Sequence, residues 1–237
     1  MKKISLVLIG LMLLAGINAQ QVNDPNAQVR EAKNYHGISI SSSFDVYISQ
    51  GNEEAVAVSA SEQKYLDRIK VEVNENGILH INYDNKGLWS AGNKKLKAYI
   101  SIKQIDKLTV SGACDVFLTS IIKSDDLTVN LSGASDLKGK LDVKKLSVDI
   151  SGASDMNITG GNADKLTIEA SGASNFKGFD LLTEYCNASA SGASDIRINV
   201  NKELSAHASG ASNVQYKGEG LVRDLRTSGS SSVNRKS

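Results

Sequence analysis

Ser132-Gly-Ala-Ser-Asp136, Ser151-Gly-Ala-Ser-Asp155, Ser171-Gly-Ala-Ser-Asn175, Ser191-Gly-Ala-Ser-Asp195 and Ser209-Gly-Ala-Ser-Asn213 are five copies of one pentapeptide. Ser111-Gly-Ala-Cys-Asp115 precedes them and a degenerate Ser228-Gly-Ser-Ser-Ser232 follows. The intervals are 21, 19, 20, 20, 18 and 19 residues, a fixed period of the kind that marks a repeat architecture. Before the motifs come Leu127-x-Val129-x-Leu131, Leu146-x-Val148-x-Ile150 and Leu166-x-Ile168-x-Ala170. Cys186-x-Ala188-x-Ala190 and Leu204-x-Ala206-x-Ala208 repeat the pattern, with polar residues between. Alternation of period two predicts strands with one buried and one wet face. After the motifs a second apolar pair recurs, as in Val116 and Leu118 or Ile196 and Ile198. Each repeat therefore reads as two short strands joined by a Ser-Gly-Ala turn.

A two-strand unit cannot bury its apolar face alone. Stacked as coils, the repeats place Leu on Val on Leu and close backbone hydrogen bonds between neighbours. The expected fold is all-β: a parallel β-solenoid with coils of about 20 residues over 106–237, behind an irregular, non-repeat β region at 34–105 continuous with it. In that region Phe44-Asp-Val-Tyr-Ile-Ser, Ala55-Val-Ala-Val, Lys70-Val-Glu-Val, Ile78-Leu-His-Ile-Asn-Tyr and Leu96-Lys-Ala-Tyr-Ile-Ser-Ile alternate. Asn74-Glu-Asn-Gly77 reads as a hairpin turn, and Ser61–Ile69 as the one short helix.

Composition agrees with this reading. Aromatics make up 5% of the 237 residues, with twenty glycines, thirty-one serines and one proline. The core must be Leu, Ile, Val and Ala, and Pro25 lies outside every expected strand. Lys2 and Lys3 precede an apolar run from Ile4 to Ala15, and Asn18-Ala19-Gln20 follows, the pattern of a secretory signal over 1–19. Residues 20–33 read as a flexible lead-in. Loss of Lys2 and Lys3 turns 27 basic against 26 acidic side chains into 25 against 26. A nearly neutral chain without a basic cluster is no nucleic-acid binder. No later segment is long enough for a transmembrane helix. The chain is expected to be exported, to the periplasm, the outer-membrane surface or the medium.

Export permits disulfides, yet Cys114 sits in the first motif and Cys186 on the strand before the fifth. They stand about four coils, roughly 19 Å, apart, too far to bridge. Both are expected as free thiols.

The chain resembles the bacterial head GIN domain family, named for auto-transporter adhesins. The resemblance is carried by Phe44-Asp-Val-Tyr-Ile, Val71-Glu-Val-Asn-Glu-Asn-Gly-Ile-Leu-His-Ile81 and the Ser-Gly-Ala-Ser-Asp repeats, over residues 35–235. It implies a right-handed β-helix akin to pectin-lyase folds, a role in adhesion and no assigned catalytic residues, and it is typical of Bacteroidetes-like envelopes.

Several constellations bear on function. The line Asp115, Asp136, Asp155, Asn175, Asp195, Asn213 could hold Ca²⁺ if stacked. Asn at two positions, and the lack of a Gly-Gly-x-Gly-x-Asp spacing, favour a structural turn ladder in which Asx side chains bond their own backbone. The recurring serines (Ser135, Ser154, Ser174, Ser194, Ser212) lack the second glycine of a nucleophile elbow and read as coil-to-coil hydrogen-bond ladders. His36, His80 and His207 are scattered, and His207 points outward. Thr128, Ser147, Thr167, Asn187 and Ser205 form an outward hydroxyl-rich line. Lys138, Lys177 and Arg197 on the adjoining face, and Trp89 in the loop Asn85–Lys95, are the candidate ligand contacts. No cofactor or metal site is expected. The reading is a non-catalytic adhesin or envelope protein that recognises a glycan or a protein surface. The alternative is a carbohydrate-active lyase or hydrolase on the same scaffold.

Overall fold

The computed structural model describes residues 24–86 and 93–236. The expected signal at 1–19 and Trp89 lie outside the described residues. Sixteen strands and one helical turn follow in order. The N-terminal region holds β1 (Gln28–Arg30), β2 (Gly37–Ile40), β3 (Phe44–Gln50), β4 (Ala55–Ser59), α1 (Gln63–Leu66), β5 (Ile69–Val73), β6 (Ile78–Tyr83) and β7 (Leu96–Ile102). The repeat region holds β8 (Lys107–Val110), β9 (Asp115–Leu131), β10 (Asp136–Ile150), β11 (Asp155–Ala170), β12 (Asn175–Ala190), β13 (Asp195–Ala208), β14 (Asn213–Lys217), β15 (Leu221–Thr227) and β16 (Ser232–Arg235). β9 to β13 pair in sequence, all parallel, and the expected solenoid is present.

One detail of the repeat differs from expectation. The two short strands of each repeat merge: β9 to β13 are single strands of 14–17 residues running from one turn to the next. They bend around the coil at register shifts, such as those at Gly139/Leu141 and Gly178/Leu182, because a bulge bends a strand while hydrogen bonding resumes on either side.

The inward positions stack as predicted. Leu127, Leu146, Leu166, Cys186 and Leu204 are in register, as are Val129, Val148, Ile168, Ala188 and Ala206. All are at most 5% exposed. Burial of one such aliphatic side chain stabilises by about 1.5–3 kcal/mol, which a single coil could not gain alone. Cys114 and Cys186 are both free and buried, and burial pushes both thiols above their ordinary pKa.

The turn is the same device in every coil. Gly112, Gly133, Gly152, Gly172, Gly192 and Gly210 all have φ between +71° and +93°, a region open to glycine at little cost. Each turn donates to the one before it, as in Ala153 N–H to Gly133 O (2.7 Å) and Ala173 N–H to Gly152 O (2.8 Å). The contact leaves no room for a side chain: a Cβ on Gly152 would lie 2.4 Å from Gly133 O.

The N-terminal region joins the same stack in an order the sequence does not show. β2 lies between β6 and β8, and β3 between β7 and β9, all parallel. The coil at 37–50 is thus sandwiched between the later coil at 78–102 and the first repeat. Its turn, Ser41-Ser-Ser-Phe-Asp45, is a cryptic copy of the motif. Asp45 is in register with Asp115, Ala113 N–H donates to Ser42 O (2.7 Å), and Ser42 holds the glycine place at φ +96°. Antiparallel strands close this end, β1 on β4 and β5 on β6. The segment expected as a flexible lead-in therefore carries a strand, and Asp24 at its start accepts a hydrogen bond from the Tyr99 hydroxyl (2.9 Å). The expected hairpin turn Asn74–Gly77 connects β5 to β6, and the expected helix shrinks to one turn. Among the described residues no helix is long and apolar enough to cross a membrane.

Ser42 is the one stacked turn position that meets this φ without being glycine. Ser42→Gly should stabilise the protein by about 1 kcal/mol, the strain relieved less the added unfolded-state entropy. Gly152→Ala should cost more than about 2 kcal/mol. Urea unfolding of the two variants checks both; a destabilised Ser42→Gly or a Gly152→Ala as stable as the parent would contradict the stacked-turn account.

Candidate functional site

The outward face just beyond the turns carries two parallel lines of side chains, because residues two apart on a strand share a face. The first line opens each strand: Asp45, Asp115, Asp136, Asp155, Asn175, Asp195, Asn213 and Ser232 are in continuous register. The second lies two residues further on: Tyr99, Tyr47, Phe117, Lys138, Asn157, Lys177, Arg197, Gln215 and Asn234.

In the first line the Asx side chains bond across coils. Asn175 Nδ2 donates to Asp155 Oδ1 (2.6 Å), Lys177 Nζ to Asp155 Oδ2 (2.8 Å), and Ser232 Oγ to Asn213 Oδ1 (2.6 Å). The turn backbone is served instead by the buried motif serine. Ser174 Oγ reaches Ser171 O (2.8 Å) and Ile150 O of the preceding coil (3.2 Å). Ser194 and Ser212 do the same, and Cys114 substitutes a thiol at that place. The expectation that Asx caps the turn is therefore corrected: position four caps, position five stacks. Coil-to-coil serine ladders are as expected.

Stacked carboxylates repel. Burial, and then Asp155 and Asp115 on either side, push the Asp136 carboxyl above its ordinary value. Asp155 goes the other way: burial opposes ionisation, but the hydrogen bonds from Lys177 and Asn175 outweigh it. Among the described residues no three of His, Cys, Asp and Glu are gathered closely enough to hold a metal ion.

The second line unites three of the candidate contacts. Lys138, Lys177 and Arg197 occupy one register, with Asn157 between the two lysines. Lys177 is tied to Asp155, whereas Lys138 and Arg197 have no ion pair among the described residues. The same line holds an aromatic stack that the sequence reading missed. Tyr47 packs between Tyr99 and Phe117, with centroids 5.2 and 5.4 Å apart and planes within 21°. The signal was present in the match of Phe44-Asp-Val-Tyr47 to Cys114-Asp-Val-Phe117. Because the rings face each other, Tyr47 offers solvent only its edge, and each contact stabilises the stack by about 0.5–1.5 kcal/mol. Phe117, last in the row, is 37% exposed.

The hydroxyl-rich line Thr128, Ser147, Thr167, Asn187, Ser205 is also in register, on the strand segment before the turn. His207 is exposed there and pairs with Asp224 (3.2 Å); His36 pairs with Asp106 (2.7 Å) at the other end of the stack.

Parallel coils of 18–21 residues with outward lines of polar side chains define a repeat β-solenoid. The chain belongs to the family described as "Putative auto-transporter adhesin, head GIN domain", whose model matches residues 34–220. Among solved structures it resembles a protein described as a putative adhesin from Bacteroides fragilis, at 20% identity and a TM-score of 0.82 over 89% of this chain and 96% of that one. A putative adhesin from Parabacteroides distasonis gives 18% identity and 0.70 over 89% and 96%. A protein from the same species described as a putative lipid binding protein gives 19% and 0.62 over 90% and 98%. At these identities the likeness is one of fold. No curated protein matches the chain.

Asp136→Asn should raise stability at neutral pH by roughly 0.2–1 kcal/mol, since it removes a like-charge cross-strand neighbour and copies the Asn175–Asp155 pairing. The folded-state pKa is raised, so the cost of the wild-type carboxylate is present above that pKa and absent below the ordinary 3.8. The gain in Tm should therefore disappear near pH 3. A gain that persists at that pH would refute the electrostatic cause.

Proposed function

We propose that the chain is an exported, non-catalytic binding protein, an adhesin or cell-envelope module that recognises a glycan or a protein surface with the outward face beyond its turns. The observation that carries this reading is the line Lys138–Asn157–Lys177–Arg197–Gln215, which repeats hydrogen-bonding groups at coil spacing along one flat face. An enzyme of the lyase type needs an acid and a base converging on one bond; here the polar groups are distributed one per coil. The adhesin description of the family supports the same reading. Lys138 and Arg197 supply the ligand contacts, Lys177 chiefly holds Asp155, and Trp89 adds an aromatic contact. The leader at 1–19 directs export.

Two measurements test this. Lys138→Ala/Arg197→Ala and, separately, Trp89→Ala should each lower the signal on a glycan array and on immobilised envelope or host-surface proteins at least tenfold, with Tm unchanged. Binding that survives both would overturn the assigned face. Protease treatment of intact cells should cleave the protein; protection until lysis would remove the adhesin reading and leave the periplasmic one.

A further inference from the structure

The coils differ in length at their bends: against the next strand, β12 carries three extra residues between Gly178 and Leu182, and β9 carries two. Between the paired positions Phe117/Lys138 and Ile121/Lys140, β9 has four steps where β10 has two. The two extra residues form a bulge at Thr119-Ser120, while Leu118 stays in register with Ile48 of β3 and packs against the core, which agrees with the 21-residue interval between the first two motifs.

The bulge is held in one geometry from beneath. Ser120 Oγ accepts from Gln50 N–H (2.9 Å), and Thr119 Oγ1 donates to Ile48 O (3.1 Å). The Gln50 amide bridges Lys103 O, Lys123 O and Lys123 N–H at 3.1, 3.0 and 2.6 Å. Gly139 on the next coil has no room for a side chain, since a Cβ would lie 2.3 Å from that of Leu118. In the following coil Gly160 leaves space beside the Lys140 methylenes, 3.7 Å from where its Cβ would stand.

The result is an open groove of about 530 Å³, whose lining includes Phe117, Leu118, Ile121, Lys138, Lys140 and Thr159. One wall is apolar and exposed, with Phe117 at 37% and Ile121 at 48%. The other is formed by Lys138, Gly139 and Lys140, and neither lysine has an ion pair among the described residues. Asp136 and Asp115 stand two residues before Lys138 and Phe117, on the far side of the line. An apolar wall against two unpaired cations matches a molecule with an aliphatic body and an anionic head.

We infer that the groove between the β9 bulge and Lys138/Lys140 binds a single anionic amphiphile, an alkyl chain bearing a carboxylate or phosphate. The chain lies along Phe117 and Ile121, and the head pairs with the two lysines. This goes beyond the docking face proposed above.

Titration of the ¹⁵N-labelled exported protein with monomeric sodium dodecanoate tests it. Saturable shifts should centre on residues 117–121 and 138–140, and dodecyl phosphate should reproduce them. Acetate, which lacks the chain, and 1-octanol, which lacks the charge, should bind at least tenfold more weakly. Lys138→Gln/Lys140→Gln and Ile121→Ser should each weaken dodecanoate at least tenfold with the rest of the spectrum unchanged, while Lys165→Gln should not. Equal affinity for 1-octanol, shifts scattered over the surface, or indifference to these variants would overturn the proposal. So would capture by phosphatidylglycerol vesicles without any binding of the monomers, which would make the face a membrane contact.

Discussion

The structure depends on one backbone contact, the approach of each turn glycine to the turn glycine of the preceding coil. At Gly133, Gly152, Gly172, Gly192 and Gly210 a Cβ would fall 2.3–2.7 Å from that neighbour's carbonyl oxygen. The left-handed φ and the missing side chain are therefore required together, and they fix where one coil sits on the next. A side-chain period of two makes register all-or-none, because a one-residue slip turns every buried residue outward. The turn removes that freedom once per coil. The aliphatic ladders then need only to be apolar and of suitable volume. This is why Leu, Ile, Val, Ala, Met and Cys all occupy them, and why the coil with the small Ala188 and Ala190 also carries the large Phe176.

The motif divides its labour by position. Glycine sets the conformation, alanine donates to the coil before it, the buried serine closes the turn and reaches back, and the Asx opens the outward face. Its serine is among the few polar side chains in the core. It is tolerated there because its hydroxyl, as at Ser174, is bonded within its own turn and to the previous coil, so that this donor is not left unpaired. Cys114 shows how loosely the chemistry of this place is constrained, and Phe44 at the equivalent place in the cryptic coil shows that filling the volume suffices when the backbone is held by other means.

Period, alternation and turn were legible in the sequence because each is a local pattern repeated seven times. The place of the 37–50 coil was not. Its turn reads Ser-Ser-Ser-Phe-Asp, without glycine, and its position between 78–102 and the first repeat depends on pairing across some forty and seventy residues of chain. The role given to the Asx side chains was misread for a different reason. Aspartate and serine compete for the same turn backbone, and only the burial of position four decides between them. Lys138, Lys177 and Arg197 fall in one register because they share a place in the repeat. The aromatic stack escaped because two of its three rings come from the region without the motif.

In a solenoid, stability and recognition draw on different residues. The turn and the inward ladders repeat because every coil must solve the same packing problem. Outward positions beyond the turn are released from that problem, and here they change from coil to coil: an aromatic row, then lysine, asparagine, lysine, arginine and glutamine. A uniform face would present each partner with several equivalent registers and hold none of them uniquely. Discrimination between registers requires coils that differ, and β9 is one place where they do: there the aromatic row ends, the cations begin and the strand carries two residues more than β10. That the bulge is fastened by Gln50, from a coil of the non-repeat region, ties the irregular N-terminal part to the repeat strand that β3 pairs with. The non-repeat region thus closes one end of the core and also shapes one of the irregular stretches of the surface.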